Sequence, residues 1–245
     1  MKKIDIIRLE SVDSTNNYLK ELAKNGALKN TFVIAKSQSK GKGTKGRSFV
    51  SKEGGVYMSI LLRPNLTGFD ITLLTSMTAV AVSETIDKIS GKKTQIKWVN
   101  DIYLDNKKVC GILCELGYDK ESKPFVIVGI GVNLFKPKND FPLEIKDIAT
   151  CVFEEENNEI KEQFEKLLVE NFFCYFDSLR EKTFLPYYRQ KNLVLGKKIK
   201  VISSSHTLEA MALDIDDSCR LLVEYPDKTQ QLLSSGEVQI ILDKK

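Results

Sequence analysis

The chain has 245 residues, 42% apolar and 29% charged, with a formal net charge of +4. That length and apolar share suit one large globular domain with or without a smaller companion. The charge is mild, with 33 acids against 37 cations, so it gives no argument for nucleic-acid binding, and charges break every apolar run long enough to span a bilayer.

The start, Met1-Lys2-Lys3-Ile4-Asp5, lacks the apolar run of a signal peptide. Residues 4–9 read as a short strand. Asp13-Ser14-Thr15-Asn16 then offers several helix N-caps, and Tyr18, Leu19, Leu22 and Ala23 follow at helical spacing before Gly26. Those hydroxyls and that amide either cap the helix or bind a polar ligand group. Residues 31–36 form a β-branched, apolar strand that delivers the run Gln38-Ser39-Lys40-Gly41-Lys42-Gly43-Thr44-Lys45-Gly46-Arg47. Three glycines and four cations stand there within eight residues. Glycine lets backbone approach a ligand closely, and successive free N–H groups cup an anion. The run resembles both a dinucleotide fingerprint and a P-loop with Arg47 in place of lysine. Each of those needs a helix immediately afterwards, whereas Ser48 to Gly55 reads as a turn and residues 56–62 as another strand. A phosphate-holding loop between two strands, or a solvated basic loop, is what remains.

Arg63-Pro64-Asn65 is a turn. Residues 71–90 predict a long core helix rich in small residues, stopped by Gly91. Residues 94–98 form a strand running into Lys97-Trp98-Val99-Asn100-Asp101, and 102–104 pairs with 109–116 across a hairpin at 105–108. The run 125–132 is almost unbroken in its apolarity, hence buried on both faces, and ends at Asn133. Residues 135–142 carry two prolines and predict a mobile loop that could cover a site. Ile160, Phe164, Leu167, Leu168, Phe172, Tyr175, Phe176 and Leu179 make one helical stripe, followed by Tyr187-Tyr188. After Asn192, short alternating strands at 198–202, 208–215, 221–225, 230–233 and 238–241 predict a small β-barrel. The five scattered cysteines and lone His206 make neither a disulfide framework nor a zinc site, which points to reduced thiols and a cytoplasmic protein.

Four pieces stand in one order: Asp13-Ser14-Thr15-Asn16; Gln38 with the Gly41–Arg47 loop; Lys97-Trp98-Val99-Asn100-Asp101 with Gly111-Ile112-Leu113 after it; and Gly129-Ile130-Gly131-Val132-Asn133. Together they resemble the biotin protein ligases, over the whole chain. The resemblance implies an α+β fold: a mixed sheet with flanking helices, of the class II synthetase-like biotin/lipoate ligase type, over residues 1–192, and an SH3-like β-barrel over 193–245. With the motifs beginning by residue 13, the stand-alone class is expected, without an N-terminal DNA-binding domain.

The resemblance also implies an activity. Biotin's carboxylate attacks the α-phosphate of MgATP, giving biotinyl-5′-AMP and pyrophosphate. A lysine of a biotin carboxyl carrier domain then takes the acyl group and AMP leaves. On the same ground Ser14, Thr15, Asn16 and Gln38 bind the ureido end of biotin, and Lys42, Gly43 and Thr44 order over it. Gly41, Arg47 and Asn133 serve the nucleotide, with Asn133 on adenine and residues 135–142 as an adenylate lid. Lys97 and Arg47 are the catalytic pair, Lys97 at the carboxylate–phosphate junction and Arg47 facing the phosphate. No direct metal ligand is assigned; Asp101 is a candidate helper for Mg²⁺ or for loop geometry, and no structural metal is expected. The expected partners are biotin, ATP with Mg²⁺ and the carrier domain of a biotin-dependent carboxylase, with no nucleic acid or membrane, in a monomer or homodimer. A lipoate ligase shares the fold and chemistry, and a non-catalytic biotin or nucleotide sensor is the alternative of another class.

The chain departs from the family pattern in several places. Thr44 stands where arginine is usual, Phe49 where tryptophan is, and Val99 where proline is. Ala210, Asp214 and Cys219 take positions where glycine is common, which puts the turn geometry of the barrel in question.

Overall fold

The computed structural model describes residues 4–64, 70–202 and 207–241. Met1 to Lys3, Asn65 of the turn and His206 lie outside these. The larger sheet has seven strands: β1 (Asp5–Val12), β2 (Thr31–Gln38), β3 (Val56–Leu62), β4 (Gln95–Lys97), β5 (Asp101–Leu104), β6 (Lys107–Tyr118) and β7 (Pro124–Val132). Their order is β1-β2-β3-β7-β6-β5-β4. Only β1 and β2 run parallel; every other pair is antiparallel. The β5–β6 hairpin turns on Asp105 and Asn106, both at positive φ, as a primed two-residue turn requires.

Helix α1 (Thr15–Lys24) covers one face of this sheet. Its Leu19 and Ala23 pack with Val33, Leu61, Phe125 and Ile127. Helices α2 (Ile71–Ser90), α3 (Asn158–Asp177) and α4 (Leu185–Lys191) belong to the larger core, to which Met58, Ile60, Val126, Val128 and Ile130 contribute. Gly91 closes α2 in the left-handed conformation at φ 70°, the role expected of it. The interior of α2 tolerates hydroxyls because Thr75, Thr78 and Thr85 donate to carbonyls one turn back.

Strand β7 is buried on both faces, as its apolar run predicts, and the two faces differ in purpose. Val126, Val128, Ile130 and Val132 join the large core. On the α1 side the sequence runs Phe125, Ile127, Gly129, Gly131: apolar beneath the helix, then glycine beyond its N-terminus. The neighbouring strands change alongside it, with Ser59 and Leu113 flanking Gly129, and Tyr57 and Gly111 flanking Gly131. A depression therefore opens at one end of the α1 face.

The remaining strands, β8 (Lys198–Ile202), β9 (Thr207–Ile215), β10 (Leu221–Glu224), β11 (Gln230–Leu233) and β12 (Glu237–Ile240), form an antiparallel sheet ordered β11-β10-β9-β8-β12. The question raised by its missing glycines resolves at one residue. Cys219 is fully buried at φ +58°, a conformation glycine adopts without strain, while Ala210 and Asp214 lie in strand β9. Among the bonds that tie this sheet to the larger unit, the Trp98 indole N–H donates to the Cys219 carbonyl at 2.9 Å, and Arg189 Nε donates to the Ile215 carbonyl at 2.6 Å.

Candidate active site

The depression holds a connected polar network. Ser14 is the N-cap of α1, its Oγ accepting from the Asn17 N–H at 3.5 Å, so the capping role is real. The next two residues do more. Gln38 Oε1, at the end of β2, accepts from the Thr15 backbone N–H at 2.8 Å and from its hydroxyl at 3.0 Å. Gln38 Nε2 donates to Ser51 Oγ, which donates to the Phe49 carbonyl. Ser59 Oγ lies 2.8 Å from Thr15 Oγ1 and 2.6 Å from Asn16 Oδ1. Asn16 Nδ2 donates to Glu115 Oε2 at 2.8 Å. Ser14, Thr15, Asn16, Ser51 and Ser59 are all buried, and such a network is stable only where each member has a partner.

Glycine is required at the floor for space. A Cβ on Gly129 would sit 2.2 Å from Asn16 Oδ1, and one on Gly131 would sit 2.7 Å from the Phe49 ring. Phe49 and Lys42 roof the slot. The space left inside is about 30 Å³, room for one or two waters.

The Gly41–Arg47 loop is a tight excursion with no helix after it, as the sequence indicates. The Gly43 N–H donates to the Arg47 carbonyl at 2.7 Å, the Phe49 N–H donates to the Gly41 carbonyl at 2.8 Å, and a single 3-10 turn spans Thr44–Gly46. Lys45 and Gly46 hold positive φ of 56° and 74°.

Beyond the slot lies a groove of about 490 Å³ between this loop, the β4–β5 connection and β12. Lys42, Gly43, Thr44, Arg47, Lys97 and Asn133 line it, so the slot and the groove together bring the expected loop, lysine and asparagine into one continuous site. Lys97 is half-buried, with its Nζ 5.7 Å from the centre of the Tyr103 ring. Its pKa is lowered: burial disfavours the ammonium, Asp101 and Glu237 favour it, and Lys108 and Arg47 oppose it again. The Trp98–Val99 peptide beside it is cis. Asn100 braces this corner, its amide donating to the Ile112 carbonyl at 2.9 Å.

Three expected roles meet a different local arrangement. Arg47 lines the groove, but its guanidinium is turned onto Glu237 of β12, at 2.5 and 3.3 Å. Asp101 pairs with Lys108 Nζ at 2.7 Å. Phe135 is buried and donates its N–H to the Gly54 carbonyl, while Lys136 is fixed to the Phe153 carbonyl and to Glu154. The nearby segment that reaches the groove is the one bearing Ile145, Ile148 and Ala149. It is hydrogen-bonded along Lys108, through the Lys108 and Thr150 N–H groups. Asn133, next to it, donates its amide to the Thr150 carbonyl at 3.1 Å.

Ser51, Ser59, Lys108, Glu115 and Glu237 were not among the expected site residues. A serine and a glutamate inside the apolar strands 56–62 and 109–116 were the available signals for Ser59 and Glu115. Among the described residues no cluster of three His, Cys, Asp or Glu side chains could hold a metal ion, and no helix is long and apolar enough to cross a membrane.

Comparison with known proteins agrees along the chain. The family model for the Biotin/lipoate A/B protein ligase family matches residues 9–133, and that for the Biotin protein ligase C terminal domain matches 194–240. The chain is 33% identical over 237 residues to the bifunctional ligase/repressor BirA of Bacillus subtilis, covering 94% of this chain and 72% of that protein. It is 28% identical to a biotin–[acetyl-CoA-carboxylase] ligase of Paracoccus denitrificans, covering 94% and 98% respectively. The biotin protein ligase of Aquifex aeolicus, solved in complex with biotin and ATP, superposes with a TM-score of 0.79 at 30% identity, over 98% of this chain and 99% of that one.

Proposed function

The chain belongs to the biotin/lipoate A/B protein ligase family, and within it we infer the activity of the biotin branch: ATP-dependent formation of biotinyl-5′-AMP, then transfer of biotin to a lysine of a carboxyl carrier domain. The buried polar slot carries this reading. Biotin's ureido ring offers two N–H donors and a carbonyl acceptor, which hydroxyls and amides satisfy. A dithiolane ring offers none and would leave unused the remaining hydrogen-bonding capacity that the network turns to the slot, such as the second lone pair of the Asn16 amide oxygen. We assign Ser14, Thr15, Asn16 and Gln38 to the ureido end, and Lys42, Gly43 and Thr44 to the cover over it. The slot is too small as it stands for a bicyclic ring, so Phe49 and Lys42 must shift for entry and resettle afterwards.

The first step joins two anions. Biotin's carboxylate oxygen attacks the α-phosphorus, the bond to the bridging oxygen breaks, and pyrophosphate leaves. Fixed cations at that junction lower the barrier by stabilising charge as it builds. Lys97 fills this role: it lines the groove half-buried, and burial pulls its pKa down, so an incoming anion stabilises its ammonium form. Arg47 serves the phosphates after exchanging Glu237 for them, and Asn133 belongs to the nucleotide subsite; Gly41, buried against Phe49, Ser51 and Gln38, serves the nucleotide only by shaping the loop that carries Arg47. Asp101 spends its carboxylate on Lys108, which leaves Mg²⁺ to travel with the ATP phosphates as part of the substrate. In the second step the carrier lysine, as free amine, attacks the acyl carbon; AMP leaves and the amine sheds a proton. Water competes for the same carbon, so the loop must stay closed between the steps.

We assign residues 1–192 to the catalytic unit and 193–245 to the β domain. Five unbridged thiols suit a cytoplasmic enzyme acting on a carboxylase. The test is ATP–pyrophosphate exchange with biotin or lipoate as the acid. Exchange with biotin alone is expected; exchange with lipoate alone would move the chain to the lipoate branch. Tight biotin binding without exchange would make it a sensor.

A further inference from the structure

We propose that Glu115 is a positioning residue that fixes the Asn16 amide with its carbonyl oxygen toward the slot, making that oxygen a specific acceptor for one ureido N–H of biotin. This rests on the biotin reading above. Glu115 lies on the α1 face of β6, two residues beyond Leu113. Its Oε2 accepts from Asn16 Nδ2 at 2.8 Å, and the Leu113 carbonyl lies 3.4 Å from the same nitrogen. An ionised carboxylate and a peptide carbonyl can only accept. If the amide were turned over, its oxygen would face both acceptors and nothing would bond it. Glu115 stays ionised in place: burial raises its pKa, but the Asn16 bond and the charges of Lys20 and Lys42 outweigh that and lower it. The two ammonium groups stand 3.6 and 3.7 Å from Oε1.

With the nitrogen committed to that side, the Asn16 oxygen lies over Gly129, where even one methyl group would come within 2.2 Å of it. Ser59 Oγ takes one of its lone pairs. An amide oxygen has two, and the second is available to a donor entering the slot. Neither Glu115 nor Ser59 need touch the ligand. Glu115 acts through Asn16, while its other oxygen meets the Lys20 and Lys42 ammonium groups.

The test uses Glu115→Leu and Glu115→Gln in the full-length protein, with pyrophosphate exchange driven by biotin or by biotin methylated at one or the other ureido nitrogen. Wild-type exchange with biotin is measured first, because its absence would sink the ligase reading rather than this one. Glu115→Leu is expected to raise the biotin KM about tenfold, with kcat and the ATP KM within about twofold of wild type. It should also shrink, by about tenfold, the preference for biotin over one of the two methylated analogues. A general loosening of the fold would weaken biotin and analogues alike. Glu115→Gln, whose amide oxygen can still accept from Asn16, should recover most of the KM and most of the discrimination. The proposal is overturned if Glu115→Leu leaves both unchanged. It also fails if the Gln variant, with a normal thermal melt, is as impaired as the Leu variant.

Discussion

The inner slot and the outer groove adjoin each other, yet they are held together by different forces. In the slot, Thr15 and Asn16 of α1, Gln38 at the end of β2, Ser51 bridged beside it and Ser59 of β3 are bonded to one another, and those five have hydrogen-bond partners before any ligand arrives. In the groove the working groups are charges: Lys97 half-buried and, among the described residues, in no salt bridge, Arg47 on Glu237, Lys108 on Asp101. Hydrogen-bond geometry on rigid elements discriminates between ligands. Ion pairs near solvent contribute little to stability and exchange readily. The molecule thus puts selection where structure is rigid, and reaction where partners can be swapped.

Replacing the central charge of the groove should have the largest effect. Lys97→Ala is expected to lower exchange by about 10²–10³-fold while leaving biotin affinity, measured by calorimetry, within a few fold. Stability should move the other way. The Lys97 pKa is depressed in the folded state, so the unfolded chain binds more protons between the folded pKa and the ordinary lysine value of 10.5. Wild-type stability therefore gains as pH rises through that window and carries the cost of a buried charge below it. A Lys97→Met variant should melt at or above the wild-type temperature at neutral pH and lack that upward trend near pH 10. Near-normal exchange in either variant would break the assignment.

The converse experiment damages the slot alone. Gly129→Ala drives a methyl group to within 2.2 Å of Asn16 Oδ1, so Asn16 must leave its bonds to Ser59 and Glu115. A displacement of this size can cost about 10²-fold, and it should fall on the biotin KM, with the ATP KM little changed. Equal damage to both substrates would show that slot and groove are one mechanical unit.

The two regions were also unequally legible in the sequence. Local chemistry announced the N-caps at Asp13 to Asn16, the helix at 71–90 with its Gly91 stop, the buried strand 125–132 and the loop glycines, because each rests on neighbours in the chain. Glu237 reaches Arg47 across 190 residues, and no pattern of spacing encodes such a contact. Ser59 and Glu115 fit ordinary strand alternation; only the stacking of β3, β7 and β6 shows that they face α1. Residues 136–142 do run as irregular chain and turn, but at the start of that segment the Phe135 backbone joins Gly54 and its side chain enters the core, contacts that no neighbour in the chain encodes.

The Glu237 contact offers a milder test of the groove. Glu237→Gln removes one negative charge from a groove that must accept a polyanion, and frees Arg47 from its competitor. The pair is largely solvent-screened, with the Arg47 side chain 56% exposed, so the gain is modest. The ATP KM should fall by no more than about fivefold, with the biotin KM unmoved. A rise instead would mean that the ion pair holds the loop in its working shape.

The smallest effect is expected at Thr44, which stands in the loop roof at a position where the family resemblance leads one to expect arginine. The residue opens onto the groove beside Gly43 and is partly exposed, so a charge placed there would meet the phosphate of bound biotinyl-AMP through solvent. A fully desolvated charged hydrogen bond would contribute about 1.5–3 kcal/mol, but an exposed one contributes about 0–1 kcal/mol, and the second figure applies at a loop surface. Thr44→Arg should therefore slow escape of biotinyl-AMP by about threefold, read as free intermediate accumulating in a reaction without carrier protein. The first half-reaction should be unchanged, because Lys97 and Arg47 already supply its charge. Unaltered release would indicate that Lys45, in the same turn, already covers the position. Release slowed by more than tenfold would show that the loop closes into a drier site than the partly exposed Thr44 suggests, and the groove would then share the rigidity of the slot.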